Sequence, residues 1–468
     1  MTNTDKTELF AHMPVPKALY TLAIPTIISQ LINLIYNMID AFFIGRTGNP
    51  YMMAATTVTL PVMLMNISFA NLFGIGGGSH IARLMGAGKA DSVRQVSAFS
   101  AYAAIGVALL YSLLVGVTLV PLLLFLGASN QTMGYAKSYA IIVIIIGNLP
   151  MLFSMVLAHL LRNTGYSSQA SIGLSGGGIL NVILDPLFMF VILPRGMEVT
   201  GAAIATTLSN MVACLYLISA YRKAAKEMPL SLRLSDACTI DRMNIREVFT
   251  VGVPSAVLPG LFDVANVCTN MLAAAHSDLV LAAVGIVMKI ERIPNAVNVG
   301  VCQGMLPIVA YNYSSGDHER MRATIHTARK AGLLISVISI AALGVFAMPM
   351  SKIFLSTAAG GDGAALATVA FSAAFLRIRC LASPVQFVNY NSSYCMQAIG
   401  DGKGTMIHAV VRELLIYIPL MFLLDHLFGE YGLMAALPVG EAFAAVLALF
   451  LLHRGLKRRR KELGDTEL

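Results

Sequence analysis

The chain has 468 residues, 57% of them hydrophobic and only 12% charged, and a mean hydropathy of +0.74. That balance excludes a water-soluble globule and a disordered chain, and it reads as an all-α polytopic membrane protein. The net charge of +8 is distributed in a way that reflects membrane topology, so no nucleic-acid partner is expected. The six cysteines are scattered, mostly in apolar runs, without a CxxC or Cys/His cluster, and read as buried small hydrophobes.

In chain order, the opening MTNTDKTELFAHMPVP lacks the basic, apolar, small-residue order of a cleavable signal, so the first span is expected to insert by itself. Twelve apolar segments then follow, near 17–44, 54–84, 95–126, 132–161, 170–193, 199–221, 247–275, 279–310, 327–355, 365–397, 404–428 and 432–453. Several are longer than a bilayer needs, which implies tilt. The basic residues fall on one side: Arg222, Lys223, Lys226, Arg233, Arg242 and Arg246 after the sixth segment, and Arg454 through Lys461 after the twelfth. Arg83, Lys89, Arg94, Arg320, Arg322, Arg329 and Lys330 join them. The positive-inside rule then puts both termini in the cytoplasm of a multi-pass inner-membrane protein. The expected organisation is an N-terminal six-helix lobe at 14–222, a basic cytoplasmic linker at 223–246, a C-terminal six-helix lobe at 247–456 and a basic tail at 457–468.

The fifth segment draws attention because Asn181 and Asp185 lie one helical turn apart after the glycines 176–178, with Pro186 directly following. A carboxylate in hydrocarbon is costly unless it meets a partner or water, so the pair is a candidate ion, proton or substrate site. Glycines allow close helix approach, and Pro186 removes a backbone hydrogen bond beside the acid. The plain alternative is an Asp held by neighbouring helices for packing alone.

The two halves repeat. Ala54, Gly76, Gly88 and Arg94 recur as Ala282, Gly304, Gly316 and Arg322 at one constant spacing of 228 residues (316 − 88), and Pro25 recurs as Pro254, one residue out of step. Six spans is an even number, so the halves are parallel repeats about an axis along the membrane normal, an arrangement that binds substrate near the midplane between repeats.

NLIYNMIDAFFIGRTG at 33–48, GAGKAD at 86–91, NVILDPLF at 181–188, TGAAIATTLSN at 200–210 and GVCQGMLPIVAYNYSSGDHER at 300–320 together resemble the multidrug and toxic compound extrusion (MATE) family of secondary antiporters. The resemblance runs from about residue 15 to 455 and implies export of organic compounds, cationic or zwitterionic, in exchange for H+ or Na+ by rocking-lobe alternating access. It also carries over Asp40, Asn181, Asp185, Thr206 and Tyr139 as a cation pocket inside the first lobe. Their oxygen donors suit a small hard cation such as Na+, while two adjacent acids in a low dielectric could instead share a proton. Asp263 on the seventh span matches a position where some relatives carry Glu, and is a candidate second-lobe contact. The tenth span reads SPVQFVNYNSSYC where some relatives have an acid, so their sodium scheme does not transfer whole.

Lys289, Glu291, Arg292, Arg377, Arg379, Arg412, Glu413 and Glu441 stand at membrane depth and must pair or face a water-filled cavity. Lys289, Glu291, Arg292 and Gln303 are taken as second-lobe contacts, with interhelix ion pairs and snorkelling heads as the alternative. GIGGGS at 74–79 is not followed by the Lys of a phosphate loop and reads as a helix contact; no Walker loop or metal spacing is present. The expectation is a non-enzyme, monomeric, without a cofactor, whose partners are small organic substrates and the lipid bilayer. A flippase for a lipid-linked precursor is the alternative; a channel or membrane-embedded enzyme has no supporting motif.

Overall fold

The computed structural model describes residues 8–355 and 362–462, and no strand occurs among them. Among the described residues twelve membrane-length helices follow one another. The first half comprises α1 (Val15–Gly45), α2 (Pro50–Gly86), α3 (Ala90–Phe125), α4 (Met133–Ile146 with Asn148–Asn163, bent by 48°), α5 (Ser167–Ile192) and α6 (Glu198–Glu227). The second half comprises α7 (Arg242–His276), α8 (Asp278–Ser314), α9 (His318–Val345), α10 (Ala365–Ala398), α11 (402–428) and α12 (430–462). Gly429, at φ 62, separates the last two, since only a residue without Cβ adopts that conformation without strain.

Local chemistry sets the helix ends. Asn49 accepts from the Tyr51 amide ahead of Pro50, Ser277 from Val280 and Asp317 from Arg320, so orphan amides at the starts of α2, α8 and α9 are satisfied by side chains. The turns α2–α3 and α8–α9 each place a glycine at positive φ, Gly88 at 70° and Gly316 at 83°, the pair that the repeat had matched. The segment between the halves is not a free tether: Ser231 donates its amide to Ser97 at 3.0 Å and Tyr102 donates to the Leu232 carbonyl at 3.0 Å, docking it on α3.

The described residues begin and end at one membrane face, called here the terminal face, and the packing differs between faces. At the far face two separate cores form, one with Met52, Val62, Leu119 and Ile144 of the first half, the other with Val287, Phe375, Met421 and Leu433 of the second. Toward the terminal face one core mixes Leu19, Leu22, Ile75 and Ala82 of the first half with Val251, Val301, Met305 and Phe387 of the second, and a neighbouring first-half core takes in Val248. The halves are therefore fused by apolar burial at the terminal face and part toward the other, enclosing a cleft.

Glycine makes that fusion close. A Cβ on Gly76 of α2 would sit 2.8 Å from the Gly252 Cα of α7, and one on Gly304 of α8 would sit 2.6 Å from the Ala23 Cα of α1. The offset that carries Pro25 to Pro254 also carries Ala23 to Gly252, so the two contacts are copies related by the pseudo-twofold axis. Polar ties reinforce them. Arg83 of α2 reaches Glu247 of α7 at 3.2 Å and the carbonyls of Gln397 and Ala398, each at 3.2 Å, while Ser79 donates to Gln397 at 2.6 Å. Arg320 and Asn312 hold the carbonyl of Phe10 at 2.8 and 3.1 Å, strapping the N-terminal segment across the second half.

Candidate functional site

In the first half, α5 presents Asn181 and Asp185 on its inner face, 3% and 0% exposed. Asn181 donates from Nδ2 to Asp185 Oδ1 at 3.1 Å and to Thr206 Oγ1 of α6 at 3.3 Å. Asp40 of α1 lies beside Asp185, and Tyr139 of α4, also buried, lies in the electrostatic reach of both acids. The five first-lobe candidates thus form one cluster built by α1, α4, α5 and α6. Among the described residues, Asp40 Oδ1, Asp185 Oδ2 and Asn181 Oδ1 are buried acceptors without a donor. Acceptors left so are expensive, and a proton or a small cation is the species that would satisfy them.

The backbone assists. Pro186 removes a donor, α5 stays α-helical to Leu187, and Phe188–Ile192 then widens into a π turn. Gly178 lets α5 approach α1, where a Cβ would lie 2.8 Å from the Tyr36 ring. Tyr36 also sits beside Asp40 and Asp185 and was not picked out from sequence, although it precedes Asp40 by one helical turn.

The second-lobe candidates do not assemble in this way. Glu291 is held by Arg379 through two bonds of 2.8 and 2.9 Å, with Tyr417 behind the guanidinium at 3.4 Å. Arg292 is exposed and lies beside Asp263, which is half-buried, and Lys289 is exposed on α8. The remaining charges pair inside the half: Arg412 binds Glu441 at 2.5 Å and Glu413 at 3.6 Å, its guanidinium 5.1 Å from the Tyr390 ring centre. Asn389 extends this to His408 at 3.2 Å, and His408 reaches Ser393 at 2.8 Å. Interhelix pairing, the simpler of the two readings of these charges, describes Glu291, Arg379, Arg412 and Glu441, while Glu413 pairs with its neighbour Arg412 on α11 itself.

Gln303 stands apart, where the halves meet. Its Oε1 accepts from Gln30 of α1 and from Arg162 of α4, both at 3.3 Å, and its Nε2 donates to the Tyr394 hydroxyl of α10 at 3.5 Å. Arg162 had not been singled out, because an arginine closing a span reads by default as a snorkelling head.

Two pseudo-symmetric six-helix halves around a cleft, with an acid pair sunk inside one of them, define a polytopic membrane transporter. The MatE family profile matches residues 25–187 and 254–423, most of the chain and once in each half, so the chain belongs to the MATE family. It is 28% identical over 479 residues to the multidrug export protein MepA of Staphylococcus saprophyticus, covering 98% of each chain. With MepA of Staphylococcus haemolyticus it shares 29% over 453 residues, covering 95% of this chain and 94% of that one. Among solved structures, a MATE in complex with MaL6 aligns with a TM-score of 0.90 at 22% identity over 97% of this chain and 99% of that one. An outward-facing multidrug resistance MATE transporter aligns at 0.88 and 21% identity over 97% and 98%. At such identities the structures establish the fold: twelve helices in two lobes.

Proposed function

We propose that the protein is a secondary antiporter that exports organic compounds, cationic or zwitterionic, in exchange for H+ or Na+. The two lobes would rock about their junction to expose the cleft alternately on each side. The observation that carries this reading is the meeting of Asp40 and Asp185 beside Asn181, with three buried acceptors lacking donors. An ion drives a conformational change only if it binds two states with different affinity. A site lined by α1 and α5, whose α5 backbone is already relaxed after Pro186, supplies that difference by changing helix bend together with charge. The export function of the MepA relatives supports the substrate class.

The lobes are assigned to 14–222 and 247–456, joined by the linker 223–246 and followed by the tail 457–468, with the terminal face cytoplasmic by the positive-inside rule. The protein would act as a monomer in the plasma membrane. The test is uptake of a fluorescent organic cation into proteoliposomes under an imposed Na+ or pH gradient. Asp40→Asn keeps shape and hydrogen bonds but cannot exchange charge, so gradient-driven transport should vanish while the protein stays folded. Full transport by the folded variant would remove Asp40 from the coupling site.

A further inference from the structure

Arg162 is only 5% exposed and has no carboxylate partner among the described residues. The groups it meets are neutral: Gln303 Oε1 at 3.3 Å and Ser29 Oγ at 3.5 Å, both long for a charged donor, while its Nε has no acceptor. A buried charge of this kind is expensive unless something of opposite sign reaches it. Its surroundings from other helices are Ser29 and Gln30 of α1, Gln303 of α8 and Tyr394 of α10, none of them acidic, and the last three are partly buried and retain some exposure. The guanidinium thus lies at the floor of the cleft, at the junction of the halves. Asp40 is ten residues further along α1 than Gln30, or about 15 Å of helix, so the acid cluster does not neutralise it.

We propose that Arg162 is an anion-binding contact of the cleft floor, taking a carboxylate or sulfonate of the transported molecule, or a small inorganic anion. This rests on the cleft being the substrate path. A ligand carboxylate would accept from the Nη groups and from Nε, replacing the neutral Gln303 oxygen with a charge-assisted pair. Gln303 would then keep only Gln30 and Tyr394, so an anionic ligand would also loosen one tie between the halves. The cleft would accordingly accept zwitterions and organic anions alongside cations.

Fluorescence anisotropy of an added dye that absorbs in the visible, where no side chain does, reads binding directly. Purified protein in nanodiscs is titrated with rhodamine B, which has a free carboxylate, and with its ethyl ester, which has none. Arg162→Gln should weaken rhodamine B binding about tenfold and leave the ester within about twofold. Gln303→Glu, which supplies the guanidinium with an internal carboxylate, should produce the same selective loss even if Arg162→Gln folds poorly. Rhodamine B binding that chloride does not compete marks the ligand's own carboxylate as the anion. Chloride competition that disappears in Arg162→Gln marks an inorganic one. If both dyes respond alike in both variants and chloride has no effect, the proposal is overturned. Gradient-driven uptake of the ester by the wild type, measured separately, tests the antiporter reading, so the two can fail independently.

Discussion

At the scale of single residues, the acid cluster of the first half keeps buried oxygens without donors, whereas the buried glutamates of the second half are held by arginines. Asp185 has one oxygen without a donor, whereas Glu441 is bound by Arg412 and by Asn389, and Glu291 by both arms of Arg379. Binding of a fluorescent organic cation to the wild type should therefore weaken on adding Na+ or lowering pH, and Asp185→Asn should lose most of that dependence. Asp263→Asn should keep it; the reverse pattern in the same titration would move coupling to the second lobe. Arg412→Leu strands Glu441 and Glu413 in a buried network, and should cost about 3–5 kcal/mol, read as a fall in thermal unfolding temperature. Asn181 and Asp185 were legible in the sequence because helical spacing put them on one face of an apolar run. The Glu291–Arg379 pair was not, because the residues lie on different spans and only packing shows which charge meets which. Arg162 was hidden for the same reason: nothing in LLRNTG reveals that its neighbours on three other helices are all uncharged.

At the scale of elements, the repeat was the most readable feature, since glycines at matched positions serve matched turns and matched crossings. The bends were less readable. Pro186 signalled a disturbance in α5, but its form, a π turn after Leu187, depends on how the freed backbone rearranges against α6. The 48° break in α4 follows the π turn Ile141–Ile146 and falls at Gly147, where Pro150 lacks the amide that would bond the Ile146 carbonyl; a glycine and a proline mark the place, and the size of the bend comes from packing. The glycine crossings yield a prediction at this scale. Gly304→Ala drives a methyl against the α1 backbone at Ala23, and Gly76→Ala drives one against α7, at a cost of about 1–3 kcal/mol each to the closed terminal face. Both should shift the protein toward a state open at that face, measured as faster cysteine labelling there. Gly106→Ala, which meets no atom within 4 Å, should leave labelling unchanged.

For the whole molecule, alternating access requires the terminal face to part. A disulfide between Ser79→Cys and Gln397→Cys, whose parent residues touch across the halves at 2.6 Å, should arrest transport until reduced, with Cys238 and Cys268 replaced to prevent side reactions. Transport at full rate by the oxidised protein would exclude rocking about this junction. Such a parting also has a calorimetric signature. The core at the terminal face joins Leu19, Leu22 and Ile75 to Val301 and Met305, and separating them would hydrate apolar surface that is now buried. Hydration of apolar groups raises heat capacity, so the step that opens this face would carry an enthalpy and an entropy that both grow with temperature. If that step limits turnover, an Arrhenius plot of transport in a bilayer of constant phase will curve. Replacing Met305 by Ala, which trims the hydrated area, will straighten it.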